Sequence, residues 1–211
     1  MSTSTSASPK TETASANTRR LSWRVVDIVV ASVVAVACAV IFIVWNVGYE
    51  APGALVGAIL PGLGGLMAGP WLIAGVLGGL IIRKPGAAIY TELLAATISA
   101  LVGNSWGPLT IVSGIVQGVG AELVFALFLY ASFRLPVALL AGAAAGLACG
   151  INDVVLWYAG ADALFTTVYI AATTLSGAVI AGLGAWAITR GLAATGALSR
   201  FAAGQASTKR V

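Results

Sequence analysis

Residues 48–70 read GYEAPGALVGAILPGLGGLMAGP, and whether this stretch crosses a membrane once or twice decides the topology of the whole chain. Pro52, Pro61 and Pro70 are interleaved with Gly53, Gly57, Gly62, Gly64, Gly65 and Gly69, so two short spans could be drawn between Ala51 and Ile82. On its N-terminal side lies Val25 to Val47, an apolar run above the roughly 20 residues that a spanning helix needs. On its C-terminal side further apolar stretches run at about 62–82, 86–103, 109–132, 136–158 and 164–189. Charge decides between six crossings and seven. Every Lys and Arg lies in the two tails or at Arg83-Lys84, Arg134 and Arg190. Six crossings put all of them on one side and the loop acids Glu50 and Asp162 on the other, whereas seven would split the basic residues across both faces. Residues 48–61 are therefore read as an outer loop with room for a short re-entrant helix.

Composition agrees. Of 211 residues, 59% are hydrophobic and 9% are charged, and the mean hydropathy of +1.00 leaves too little polar surface to cover a water-soluble globule. The predicted fold is all-α: an integral membrane bundle of six transmembrane helices over 25–190, with both termini cytoplasmic. Residues 1–24 are rich in Ser, Thr and Ala and end in Thr18-Arg19-Arg20-Leu21-Ser22-Trp23-Arg24. They read as a disordered cytoplasmic tail, with no cleavage pattern after the apolar run that follows. Residues 191–211 read as a C-terminal cytoplasmic tail.

Several functions are excluded at this stage. The chain has no histidine, which removes the commonest metal ligand and near-neutral proton carrier. Cys38 and Cys149 lie far apart in apolar runs, against a disulfide framework or a zinc site. No phosphate-binding GxxxxGK[ST] loop occurs, so ATP-driven work would need the ATPase to be another chain. No metal, cofactor or catalytic residue is expected. The +4 charge sits at helix ends and tails without a basic groove-facing helix, so no nucleic acid is expected as a partner.

Small residues four apart let helices approach closely in lipid. The first helix carries Ala31, Ala35 and Ala39, the second Gly75 and Gly79, and the fifth Gly142, Gly146 and Gly150. The glycine row of the fifth reads as internal packing. The alanine row of the first fits internal packing and external docking equally.

Three acids sit well inside spans: Glu92, Glu122 and Asp153. An ionised acid at the centre of a membrane helix costs roughly 2.5–3.5 kcal/mol, and no Lys, Arg or His lies at similar depth. Each acid could be a neutral structural hydrogen-bond donor. Together they point to an outward-open pocket for a cationic or amine-bearing solute. Trp45, Tyr49, Trp71, Trp106, Trp157, Tyr158 and Tyr169 gather toward the same side. Most suit an interface belt, and one or two could also stack on a flat cation. The candidate binding residues are Glu92, Glu122, Asp153, Asn152, Gln117, Trp106, Trp157 and Tyr90.

The strings GLGGLMAGPW (62–71), IIRKPGAA (81–88), YTEL (90–93) and QGVGAELVFA (117–126) resemble the YkoE family, S components of energy-coupling-factor (ECF) vitamin transporters, over about residues 23–190. The resemblance implies a six-helix bundle in the bacterial plasma membrane that captures thiamine or its hydroxymethylpyrimidine precursor at the outer face. It implies a transmembrane coupling (T) protein and two ABC-type ATPases as partners. It also implies that Ala31, Ala35 and Ala39 dock the coupling protein and that the 48–61 loop lids the site. A self-sufficient, proton-coupled carrier of a small amine is the competing reading.

Overall fold

The computed structural model describes residues 21–201, 203 and 204, so the N-terminal tail up to residue 20 and the tail from residue 205 lie outside the described residues. Helix α1 spans Val25–Gly48, and a short α2, Glu50–Ile59, follows with no buried residue. The second apolar stretch begins as a 3-10 segment over Leu63–Leu72, which contains Pro70, and continues as α3 over Ile73–Ile82. Next come α4 (Ala87–Val102), α5 (Leu109–Leu127) and α6 (Leu135–Leu156). The last stretch runs from α7 (Ala163–Ser176) through a π-helical segment (Gly177–Leu183) into α8 (Gly184–Ala194).

Hydrocarbon offers the backbone no hydrogen bonds, so a spanning segment must satisfy its own N–H and C=O groups, as a helix does. Five stretches are long and apolar enough to cross: Val25–Gly48, Leu63–Ile82, Leu109–Leu127, Leu135–Leu156 and Ala163–Ala194. Helix α4 is apolar but has 16 residues, or about 24 Å at the α-helical rise. The predicted re-entrant stretch is thus a real helix, α2, with Leu55 and Ile59 exposed. Gly62 turns the chain from α2 into the second stretch at φ +94°, where a Cβ would collide with the Phe165 carbonyl and the Tyr169 N–H of α7. Glycine is required there on both counts.

The most buried stretch is Leu63–Ile82, around which the other helices gather. The glycine row of α6 packs internally as its spacing suggests: a methyl on Gly142 would overlap the Gly177 carbonyl, and one on Gly146 the Thr173 carbonyl.

The alanine row of α1 corrects an expectation. Ala31, Ala35 and Ala39 have no exposed surface and face the bundle, where α1 packs on α4 and α3. The outward face of α1 is instead Val29, Val33, Val36, Val40 and Val44. Small side chains let α1 approach its own bundle closely, which uses up the face that external docking would need.

The C-terminal boundary also shifts. The last helix continues to Ala194, and Leu198 and Phe201 beyond it are buried in the core. The Arg24 guanidinium lies 5.9 Å from the Phe201 ring centroid, so this segment packs against the start of α1.

Candidate functional site

Helix polarity puts Arg24, Arg83, Lys84, Arg134 and Arg190 at one end of the bundle, called here the basic end. The main cavity opens at the other. It holds about 440 Å³ and draws its lining from α1, α2, the 3-10 segment and helices α4 to α7. That volume lies within the range usual for small-molecule sites.

Aromatic rings form two of its walls. Trp71 meets Tyr49 edge-on at 5.0 Å between centroids and Trp106 at 5.4 Å, and Tyr49 lies 5.5 Å from Trp106. Across the cavity Tyr158 packs on Tyr169 at 5.0 Å, with Phe165 behind them. The Trp71 ring is held in place because its indole N–H donates to Asn46 Oδ1 (2.8 Å), while the Asn46 amide donates to Ser99 Oγ (3.1 Å). Edge-to-face contacts among such rings add about 0.5–1.5 kcal/mol each and fix the faces that a flat ligand would meet.

Of the expected residues, Asp153, Gln117, Trp106 and Trp157 line this cavity. Asp153 accepts from the Tyr169 hydroxyl (3.0 Å), the Cys149 thiol (3.4 Å) and the Asn152 amide (3.3 Å). None of these partners is cationic. Asn152 does not line the cavity; it stands behind Asp153 and donates to Ser113 Oγ at 2.9 Å. A charge-bearing group aimed into an aromatic chamber without a protein cation suits a cationic ligand.

The other two acids do not join it. Glu122 lies toward the basic end, at the N-terminus of α4. Its Oε1 accepts the Gly86 N–H (2.7 Å) and the Tyr130 hydroxyl (2.7 Å), and its Oε2 accepts the Ala88 N–H at 2.8 Å. A helix N-terminus carries partial positive charge and unpaired N–H groups, so the missing cation is a helix end. Glu92 is 1% exposed and its Oε2 accepts the Gly75 N–H at 2.6 Å, where the 3-10 segment has just passed into α3. Ala96, the next residue on its face of α4, lines the cavity, and Glu92 itself sits beneath it. Tyr90 is at the basic end, sharing a 2.7 Å hydrogen bond with Ser32 and packing edge-on against Trp23. A single outward pocket holding all three acids is therefore not what forms, because helix-end dipoles and backbone donors claim two of them.

Sequence reading missed Asn46, Ser99, Ser113 and Cys149 as lining residues, and Asp27 as a buried acid. Asn46 alone carried a signal, as a polar residue inside the apolar run 25–47. The serines and the cysteine are common helix-packing residues and carried none.

A family model described as "ABC-type cobalt transport system, permease component" matches residues 26–148. A Bacillus subtilis (strain 168) protein named as an HMP/thiamine permease, YkoE, is 37% identical over 195 residues, covering 90% of this chain and 94% of that protein. The chain belongs to the YkoE family of ECF S components. A solved S component of an ECF transporter superposes with a TM-score of 0.81 at 35% identity, covering 90% of this chain and 95% of that one. Both strands of similarity span nearly the whole bundle, so the resemblance in the strings at 62–71, 81–88 and 117–126 extends to the fold. The chain is a multi-pass protein of the cell membrane, and its family consists of transport subunits and not enzymes. Among the described residues no group of three or more His, Cys, Asp or Glu side chains is placed to hold a metal ion.

Proposed function

We propose that the chain captures thiamine or hydroxymethylpyrimidine in the cavity between Trp71 and Tyr169 and delivers it through an ATP-driven ECF complex. The observation that carries this reading is Asp153: a carboxylate lining an aromatic chamber, with only neutral hydrogen-bond partners. Aromatic faces stack on planar heterocycles and attract a quaternary thiazolium, and the carboxylate supplies the opposite charge. Helix α2 contributes Glu50, Gly53 and Ala54 to the rim, as a lid would.

In this reading the basic end is cytoplasmic, both termini lie there, and α4 makes the sixth crossing despite its length. The cavity then faces outward, where substrate is scavenged. Energy comes from a separate coupling protein and two ABC-type ATPases. The alanine row of α1 is given no docking role, since it is buried.

Isothermal titration of the purified chain with thiamine and with hydroxymethylpyrimidine tests capture, and saturable binding of at least one is expected. Reconstituted alone in liposomes, the chain should not accumulate ligand under a pH gradient. With coupling protein, ATPases and ATP it should. Gradient-driven uptake without partners would replace this reading with that of a self-sufficient carrier.

A further inference from the structure

The floor of the cavity contains a polar chain made with unusually weak links. Gln117 Nε2 donates to Cys149 Sγ at 3.5 Å, and Cys149 Sγ donates to Asp153 Oδ2 at 3.4 Å. A thiol is a weak donor and a weak acceptor. Elsewhere in the bundle buried polar groups take oxygen or nitrogen partners at shorter range: Glu122 at 2.7–2.8 Å and Glu92 at 2.6 Å. Gln117, Cys149 and Asp153 all line the same open volume. One amide donor and one carboxylate acceptor are thus left poorly satisfied on either side of a single sulfur atom. Poorly satisfied groups of this kind favour a ligand that completes them, because burial makes the deficit costly.

We propose that Gln117 and Asp153 read the amino-azine edge of the substrate, with Cys149 acting as a displaceable placeholder between them. A ring nitrogen accepts from Gln117 Nε2, and the adjacent exocyclic amino group donates to Asp153. The aminopyrimidine ring then lies at the floor, because Gln117 and Cys149 sit one helical turn deeper than Ser113 and Asp153 on α5 and α6. A thiazolium, when present, extends toward the rim, where Tyr49, Trp106 and the first-turn acid Glu50 of α2 line the mouth. The substrate class that follows is an aminopyrimidine, with the cationic ring an addition and not the requirement. This inference rests on the pyrimidine reading of the cavity given above.

The placeholder role makes an uncommon prediction about conservative variants. Cys149→Ala removes the weak links and leaves both readers free, so thiamine affinity should stay within about threefold of wild type. Cys149→Ser supplies a hydroxyl that binds Gln117 and Asp153 properly in the empty protein, and the ligand must then displace it. Affinity should fall about fivefold or more. Titration calorimetry on the full chain in detergent would compare wild type and both variants against thiamine, hydroxymethylpyrimidine, its deamino analogue and the isolated thiazole alcohol. Hydroxymethylpyrimidine should bind wild type, its deamino analogue at least tenfold more weakly, and the thiazole alcohol more weakly still. In Asp153→Ala the penalty for losing the amino group should disappear.

A deamino analogue that binds wild type as tightly as hydroxymethylpyrimidine would overturn the assignment. So would Cys149→Ser matching wild type while Cys149→Ala loses ligand. If wild type binds neither thiamine nor hydroxymethylpyrimidine, the functional reading itself fails and takes this inference with it. Equal unfolding temperatures for the two cysteine variants exclude misfolding as the source of a difference.

Discussion

The two ends of the bundle treat buried acids in opposite ways. At the basic end Asp27 is fully buried and bound by Lys84 Nζ at 2.5 Å and by the Arg24 backbone N–H and guanidinium at 2.7 and 2.8 Å. Lys84 also donates to the Ser22 carbonyl, tying the α3–α4 turn to the entry of α1. Glu122, on the same side, is satisfied by the start of α4 and by Tyr130. At the opposite end Asp153 has hydroxyl, amide and thiol partners and faces open volume. An acid whose valences are filled by backbone and cations holds helices together. One that is left with weak partners beside a cavity is available to a ligand. Residue type and depth are alike at both ends, and only the neighbours differ.

The contrast can be broken by exchanging loss of fold for loss of binding. The largest effect is expected from Glu122→Leu, which strands the Gly86 and Ala88 N–H groups and the Tyr130 hydroxyl. Unfolding in detergent should show a loss of about 2–4 kcal/mol, with the protein that remains folded still binding thiamine. A stable Glu122→Leu protein that has lost ligand would put Glu122 back in the binding site. Asp153→Ala should do the reverse, weakening thiamine binding by about 1.5–3 kcal/mol in calorimetry while the unfolding transition stays close to wild type.

Smaller effects sharpen the same division. Ala35→Leu forces bulk into the seam between α1 and the bundle and should cost about 1–3 kcal/mol, whereas Val36→Leu on the outward face should stay within about 0.5 kcal/mol. Equal stability of the two would mean that the alanine row is not packed inside. Lys84→Met leaves Asp27 with Arg24 alone and should lower stability by roughly 1–2 kcal/mol, without change in ligand affinity. Thermal unfolding followed by tryptophan fluorescence reads all three.

Much of the architecture was legible in residues. The run 25–47 and the later apolar stretches marked helices within a few residues of where they occur, and the glycine row of α6 marked its packing face. The site was half legible. Asp153, Gln117, Trp106 and Trp157 line the cavity as expected, but periodicity placed Glu122 near the midplane and could not show that α4 begins beside it.

Hydropathy, length and the placement of Lys and Arg are properties of composition and order, so the sequence alone determined that this chain is a helical membrane protein, and its distinctive strings pointed to the family. Neighbour relations between helices are not local properties. A row of alanines is the same string whether it faces a partner or its own bundle, and a carboxylate is the same letter whether a helix N-terminus or an empty chamber lies in front of it. Only the tertiary structure decided that Ala31, Ala35 and Ala39 turn inward, that Glu122 is bound by α4, and that Asp153 faces the cavity. Those outcomes depend on which groups distant in sequence reach hydrogen-bonding distance, 34 residues apart for Ala88 and Glu122 and 16 for Tyr169 and Asp153.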